Sequence, residues 1–209
     1  VITPPPMTEA HISTATITRL VTLLQLEPLG TDHFRGASED IGTSRVFGGQ
    51  VLGQALVAAC RTATSPIHSL HAYFLLPGDH HQPIDYLVER VRDGRSFATR
   101  RVVAQQKGRT IFTMMASFHA PEAGSFSHQR QMPAVPPPEG LQTETALRQA
   151  QAHQLPAGWR GEKLPPIEYR MVDPVDLLHP APRAADTQLW LRACAAVPND
   201  PVLHRALLA

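Results

Sequence analysis

Cysteine is scarce in this 209-residue sequence: Cys60 and Cys194 lie far apart, outside any C-x-x-C spacing and inside apolar runs. That excludes a disulfide-stapled scaffold and predicts reduced, buried thiols with no structural zinc. An excess of one charge sign is lacking too. Nineteen Lys and Arg stand against 18 Asp and Glu, a formal net charge of +1 with histidine neutral, so no strong field draws the protein to nucleic acid or to an anionic membrane. Every apolar run is interrupted by Gln, Arg or His before it reaches bilayer-spanning length. The first seven residues, Val1 to Met7, have neither the basic start nor the apolar stretch of a secretory signal. A cytoplasmic location is therefore expected, with no membrane and no nucleic acid as partners. G-x-S-x-G, G-x-x-x-x-G-K-[ST], H-E-x-x-H and G-x-G-x-x-G are all missing, which sets aside ordinary serine hydrolases, P-loop enzymes, zinc peptidases and Rossmann dehydrogenases.

What is present is a globular composition, 43% hydrophobic and 18% charged. Residues 1–15 are Pro/Thr-rich and read as a disordered N-terminus. Ile17, Leu20, Val21 and Leu24 recur at helical spacing until Pro28 and Gly30 stop them. Short extended pieces follow from His33 to Val46, and Phe47-Gly48-Gly49-Gln50 opens an Ala- and Leu-rich segment, Val51 to Cys60. That segment is apolar on nearly every side, so a helix there must be wrapped rather than half exposed. Four runs rich in Val, Ile, Phe and Tyr come next: Ser69 to Leu76, Ile84 to Arg92, Ser96 to Gln106 and Thr110 to His119. Pro77-Gly78-Asp79, Asp93-Gly94 and Lys107-Gly108 separate them with turn chemistry. Strands, tight turns and one apolar helix predict an α+β fold with an antiparallel sheet curled around a central helix.

Past Pro121 a connector begins whose Pro136-Pro137-Pro138 run is stiff and extended. Thr143 to Gln154 reads as a helix capped by Thr143, residues 156–166 as irregular, and Ile167 to Val172 and Gln188 to Val197 as strands. A helix starts at Val202. Extended pieces followed by a helix opening repeat the order seen before Val51, so the same unit is starting a second time. The expected division is 1–15 disordered, 16–122 a first complete domain, 123–166 a linker with a helix, and 167–209 the start of a second. Because Ala206-Leu207-Leu208-Ala209 carries no helix stop, the chain reads as C-terminally incomplete.

Four histidines, His68, His71, His80 and His81, crowd one region and raise a metal site. The odd spacing of His68 and His71 on a strand predicts opposite faces, and His80-His81 fall in a turn, so ordinary hydrogen-bonded histidines are expected and no metal. The Phe47 to Ala55 segment carries two open readings. Two glycines ahead of a buried helix let a ligand approach its first turn, where unpaired N–H groups favour a developing negative charge on a carbonyl oxygen. Alternatively Gly48, Gly49 and Gly53 only permit tight packing of helix on sheet.

With these stretches in view the sequence resembles the acyl-CoA thioesterase II family. The matching residues are Phe34-Arg35-Gly36, Ser38 to Gly42, Val46 to Ala55, His68 to Asp79, Val88 to Phe97, Arg100 to Val102, Met115 to Phe118, Ala120 to Glu122 and Trp190 to Arg192. The likeness runs from about residue 20 to the last residue. It implies a tandem hot-dog fold, each domain a long helix wrapped by an antiparallel sheet, the first domain complete here and the second only begun. It also implies acyl-CoA as substrate, hydrolysed to free fatty acid and CoA by water under general-base catalysis, with no cofactor. In the family a carboxylate near the start of the second domain's helix, helped by a Thr or Ser and a Gln, orients that water, and its place lies just beyond the stretch matching Val202 to Ala209. Among acids in the chain, Asp93 sits in a hairpin turn and Glu39 and Asp40 precede the glycine turn. No residue here is therefore assigned a catalytic role.

The expected substrate-binding residues are Gly48, Gly49, Gln50, His68 and Arg95. Gln50 holds in the first domain the place of the second domain's acid, but an amide cannot take a proton from water at neutral pH. His68 matches a family histidine and is read either beside the acyl or pantetheine channel or as structural. Arg95, Arg100 and Arg101 are read as contacts to CoA phosphates or as solvated strand charges. Met114, Met115, Phe112 and Phe118 are expected in the core, although thioethers also suit an acyl tunnel. A homo-oligomer is the expected assembly. The rival reading is a non-catalytic hot-dog module that binds acyl chains or pairs with another subunit. A hot-dog dehydratase ranks lower, because no His with Asp or Glu falls at the helix start.

Overall fold

The computed structural model describes residues 9–160 and 164–209. These fall into two compact units: residues 21–126 with 198–209, and residues 9–20 with 127–160 and 164–197. Of the expected disordered N-terminus, residues 1–8 lie outside the described residues, whereas 9–15 are helical, because α1 spans Glu9–Leu23. The helix thus opens earlier than the Pro/Thr-rich composition predicts.

The first unit holds β1 (Glu27–Gly30), β2 (His33–Gly36), α2 (Gly48–Cys60), β3 (Ile67–Phe74), β4 (Ile84–Asp93), β5 (Phe97–Gln106), β6 (Arg109–His119) and, at the chain end, α4 (Pro201–Leu208). The six strands form one sheet in the order β1-β2-β4-β5-β6-β3, and every neighbouring pair is antiparallel. The two long hairpins follow from local chemistry. Lys107 at φ 49° and Gly108 at φ 73° are the only two residues between β5 and β6, and positive φ at both positions makes the turn whose twist matches antiparallel strands. The Gly94 amide donates to the Phe97 carbonyl at 2.9 Å across the other turn. The remaining surprise is β1, a strand where Pro28 and Gly30 read only as a helix stop.

Inner positions alternate along the strands: Ile84, Tyr86 and Val88 on β4, Arg100, Val102 and Ala104 on β5, and Phe112, Met114, Ala116 and Phe118 on β6 are buried. Nine of the 13 residues of α2 are buried, so the helix is enclosed as its composition requires. Its glycines do not precede it; they form its first turn. Gly53 serves a helix rather than the sheet, because a Cβ there would stand 3.0 Å from the Ala206 carbonyl oxygen of α4 and 3.1 Å from Leu24. Asp200 caps α4 by accepting from the Val202 amide at 2.8 Å.

Two buried polar side chains fasten α2, one at its middle and one past its C-terminus. Gln54 Nε2 donates to the Leu23 and Ala37 carbonyls at 2.6 and 2.9 Å, and its Oε1 accepts from the Tyr86 hydroxyl at 2.7 Å. Burial pushes the Tyr86 phenol well above its usual range. Past the C-terminus of α2 Arg100 uses all five N–H donors: Nε to Thr62 Oγ1 at 2.9 Å, Nη1 to the Arg92 and Thr99 carbonyls at 3.0 Å each, and Nη2 to the Thr62 carbonyl at 2.7 Å and to Asp93.

In the second unit, β7 (Ile167–Met171) and β8 (Leu189–Ala193) form an antiparallel pair with Ile167 opposite Ala193. α3 (Glu144–Ala150) is a turn shorter than the spacing predicts, and Thr143 caps it by accepting from the Ala146 amide at 3.0 Å. The proline run supplies carbonyls to the strands: Pro136 accepts from Trp190 Nε1 at 3.0 Å and Pro138 from Arg170 Nη1 at 2.9 Å. Proline has lost its donor, so only its carbonyl is available for such contacts. Both cysteines are free and half-buried, and burial pushes the Cys60 thiol up to about 11. Among the described residues no helix is long and apolar enough to cross a membrane.

Candidate active-site pocket

A pocket of 280 Å³ opens at the N-terminal end of α2. Arg45 and Val46 ahead of the helix, Gly48 and Val51 on its first turn, the chain from Phe74 to Gly78, and Ile111 and Phe112 of β6 line it. The helix begins at Phe47 with no side-chain cap and no acidic residue in its first turn, so the outward N–H groups and the positive dipole end are left to a ligand. Glycine leaves both positions uncrowded, and a side chain at either would press on a neighbouring ring. A Cβ on Gly48 would meet the Phe74 ring at 3.2 Å, and one on Gly49 would meet the Phe47 ring at 2.5 Å. Phe74 in turn leans edge-on against Phe112, with ring centroids 5.0 Å apart.

The far wall of the pocket is tied down by a residue that the sequence did not single out. Gln106, buried at the end of β5, accepts from the Asp79 amide at 2.8 Å and donates to the Asp79 and Gln82 carbonyls at 2.8 and 2.9 Å. The Val46 amide donates to the Gly78 carbonyl at 3.0 Å, closing the mouth. In the sequence Pro77-Gly78-Asp79 carried only a strand-breaking signal. Its part in a pocket depends on β3 and β6 being neighbours, which local chemistry does not encode.

Of the five expected binding residues the structure puts Gly48 in the pocket lining, Gly49 and Gln50 beside it in the first turn of α2, and two elsewhere. Gln50 is buried and engaged: its Nε2 donates to the Ala37 carbonyl at 3.0 Å and its Oε1 accepts from the Glu39 amide at 3.3 Å. Glu39 therefore reaches the first turn through its backbone. Asp40 accepts from the Gly42 amide at 2.7 Å.

His68 sits six residues before Phe74 on β3, about 20 Å at strand rise, and on the face away from α2. A bulge between Ile67 and Ser69 places it there, hydrogen-bonded through Nε2 to Ser117 Oγ at 2.9 Å. His71, opposite exposed Met115, lies on that same outer face. The opposite faces expected from odd spacing are therefore not observed, because the bulge adds one residue to the count. His68 also meets Phe97, which stacks on His119 at 4.2 Å.

Arg95 is exposed in the β4–β5 turn. Arg100 ties that turn to Thr62, beyond the C-terminus of α2, so Arg95 lies a 13-residue helix away from Gly48, about 20 Å. Arg100 has no donor left for a phosphate, and Arg101 pairs with Glu89 at 3.2 Å. Met114, Phe112 and Phe118 are core, whereas Met115 is exposed. Among the described residues no group of three or more His, Cys, Asp or Glu is placed to hold a metal ion.

A buried helix wrapped by a six-stranded antiparallel sheet defines the hot-dog class, and the fold recurs in a hot-dog protein of Alicyclobacillus acidocaldarius at TM-score 0.72 and 21% identity. Residues 35–119 match the family model described as acyl-CoA thioesterase N-terminal domain. An acyl-CoA thioesterase II of Mycobacterium marinum is 43% identical at TM-score 0.69, covering 90% of this chain and 65% of that one. Acyl-CoA thioesterase 2 of Haemophilus influenzae is 39% identical over 198 residues, 92% of this chain and 68% of that protein. Human acyl-coenzyme A thioesterase 8 is also 39% identical, over 83% of this chain and 58% of its own length. The chain thus spans a little over half of that human relative, and it belongs to the acyl-CoA thioesterase II family.

Proposed function

We propose that this chain forms the first hot-dog domain and the opening of the second in a thioesterase that hydrolyses acyl-CoA to a free fatty acid and CoA. The observation that carries the reading is the largely apolar pocket at the uncapped first turn of α2, which opens on Gly48 and Gly49. There a thioester carbonyl accepts from the Gly48 and Gly49 amides, and the oxyanion formed on water attack is stabilised by groups already oriented. Such donors contribute about 10² to 10³ in rate. Pocket walls of Val51, Phe74, Leu75 and Ile111 exclude water from the bound thioester.

The general base is not on α2. Its first turn has no acid, and Gln50 is committed to Ala37 and Glu39. In the family's order the carboxylate follows the stretch matching α4, and in this structure α4 packs beside α2 at Gly53. These 209 residues on that reading supply the walls and the carbonyl-polarising amides, and the base belongs to the second domain's helix beyond Ala209. No cofactor takes part. Fatty-acid metabolism, in the cytoplasm, is the setting this chemistry suits, with a homo-oligomer as the assembly.

The test is a thiol-release assay with octanoyl-CoA beside a binding titration of the same chain. The expected result is binding with release at background. Turnover well above background would show that a base lies within these residues, and absence of binding would favour a module that only pairs with another subunit.

A further inference from the structure

We propose that Arg45 grips the phosphate-bearing half of the CoA thioester, so that the pocket at the start of α2 takes the carrier arm while the acyl chain leaves in the other direction; this rests on the reading given under Proposed function. Among the described residues Arg45 is the only charged one lining the pocket. Its guanidinium has no carboxylate partner among the described residues, in contrast to Arg35, Arg90, Arg100 and Arg101, each paired with an acid. Its backbone is nevertheless fixed: the carbonyl accepts from Thr43 Oγ1 at 2.6 Å, and the following amide, that of Val46, donates to the Gly78 carbonyl at 3.0 Å. An unpaired cation on a held stem beside an apolar pocket is pre-organised for a charged group on a largely apolar ligand.

The chemistry of that ligand selects the group. A monocarboxylic acyl-CoA bears all of its negative charge on the nucleotide end, and its acyl chain has none. Arg45 precedes Gly48 by three residues, at most about 10 Å of backbone, and its long side chain adds to that reach. A thioester oxygen on the Gly48 amide and a phosphate on Arg45 are then the two ends of one bound carrier arm. The fork geometry of guanidinium suits phosphate oxygens.

Isothermal titration of this chain with octanoyl-CoA and with octanoyl-pantetheine, which lacks the nucleotide phosphates, tests the proposal. The parent is expected to bind octanoyl-CoA about tenfold more tightly, the range of one charge-assisted contact, and less tightly as salt rises. Arg45→Gln should remove that difference and leave octanoyl-pantetheine binding as it was, while Arg45→Lys keeps part of it. Equal weakening of both ligands by Arg45→Gln, or unchanged octanoyl-CoA binding, would overturn the assignment while leaving the thioesterase reading in place. A parent that binds neither ligand would overturn both.

Discussion

Replacing Arg100 by Met asks whether a buried cation that sequence reads as a ligand contact is instead a fastener. The side chain is 1% exposed and gathers Thr62 just past α2, the Arg92 and Thr99 carbonyls, and Asp93 in the hairpin turn. Met fills similar volume but offers no donors. Thr62, 6% exposed, then holds a buried carbonyl without its donor, at about 1–3 kcal/mol, and the Arg92 and Thr99 carbonyls lose theirs, while the Thr62 hydroxyl still donates to the Ala59 carbonyl at 2.8 Å. Asp93 does not add the usual penalty of a stranded buried charge, because its side chain is 57% exposed and water solvates it. The net cost is about 3 kcal/mol once recovered apolar burial is counted. For a unit of this size that lowers Tm by about 12 °C. Calorimetric melts of parent, Arg100→Met and Asp93→Asn measure it, and Asp93→Asn should cost under about 1 kcal/mol. An Arg100→Met chain melting within about 3 °C of the parent, or an Asp93→Asn chain equally damaged, would refute the argument.

Gln54→Leu removes three hydrogen bonds and strands the Tyr86 hydroxyl in the core, at about 2–4 kcal/mol in urea unfolding. Adding Tyr86→Phe should cost less than its separate effect, since the orphaned hydroxyl is gone. Asp85 is held below its ordinary range first by the hydrogen bond from Arg35, at 2.7 Å, and then by that residue's charge. A lowered folded-state value means the contribution is present above the ordinary 3.8 and fades as the pH falls through the folded value. Melting of the parent and of Asp85→Asn should therefore differ at neutral pH and converge below 3.8.

Much of the first unit was legible because its signals are local. Asp93-Gly94 and Lys107-Gly108 specify their turns from two residues each, and the strand ends from Ile84 to His119 follow within one residue of the predicted ranges. The all-apolar face of α2 required a wrapped helix, and Thr143 capped α3 as expected. Of the expected binding residues only Gly48 lines the candidate pocket, with Gly49 and Gln50 beside it in the same helical turn. His68 and Arg95 share the family's pattern, yet strand rise and helix length carry them about 20 Å away.

By itself, then, the sequence determined the elements, the tight hairpins and the family, since turn dihedrals, burial period and motif order are properties of neighbouring residues. The tertiary structure decided which side chains meet. A one-residue bulge at Ile67–Ser69 turned His68 and His71 to the same outer face, and pairing of β3 with β6 brought Phe74, which lies against Gly48, and Ile111 into one pocket. Arg100 was enclosed past the C-terminus of α2, and Arg45 was set in the lining of the pocket at the other end. Such outcomes depend on contacts between residues dozens of positions apart, where one added residue or one buried acceptor reverses what spacing alone would suggest.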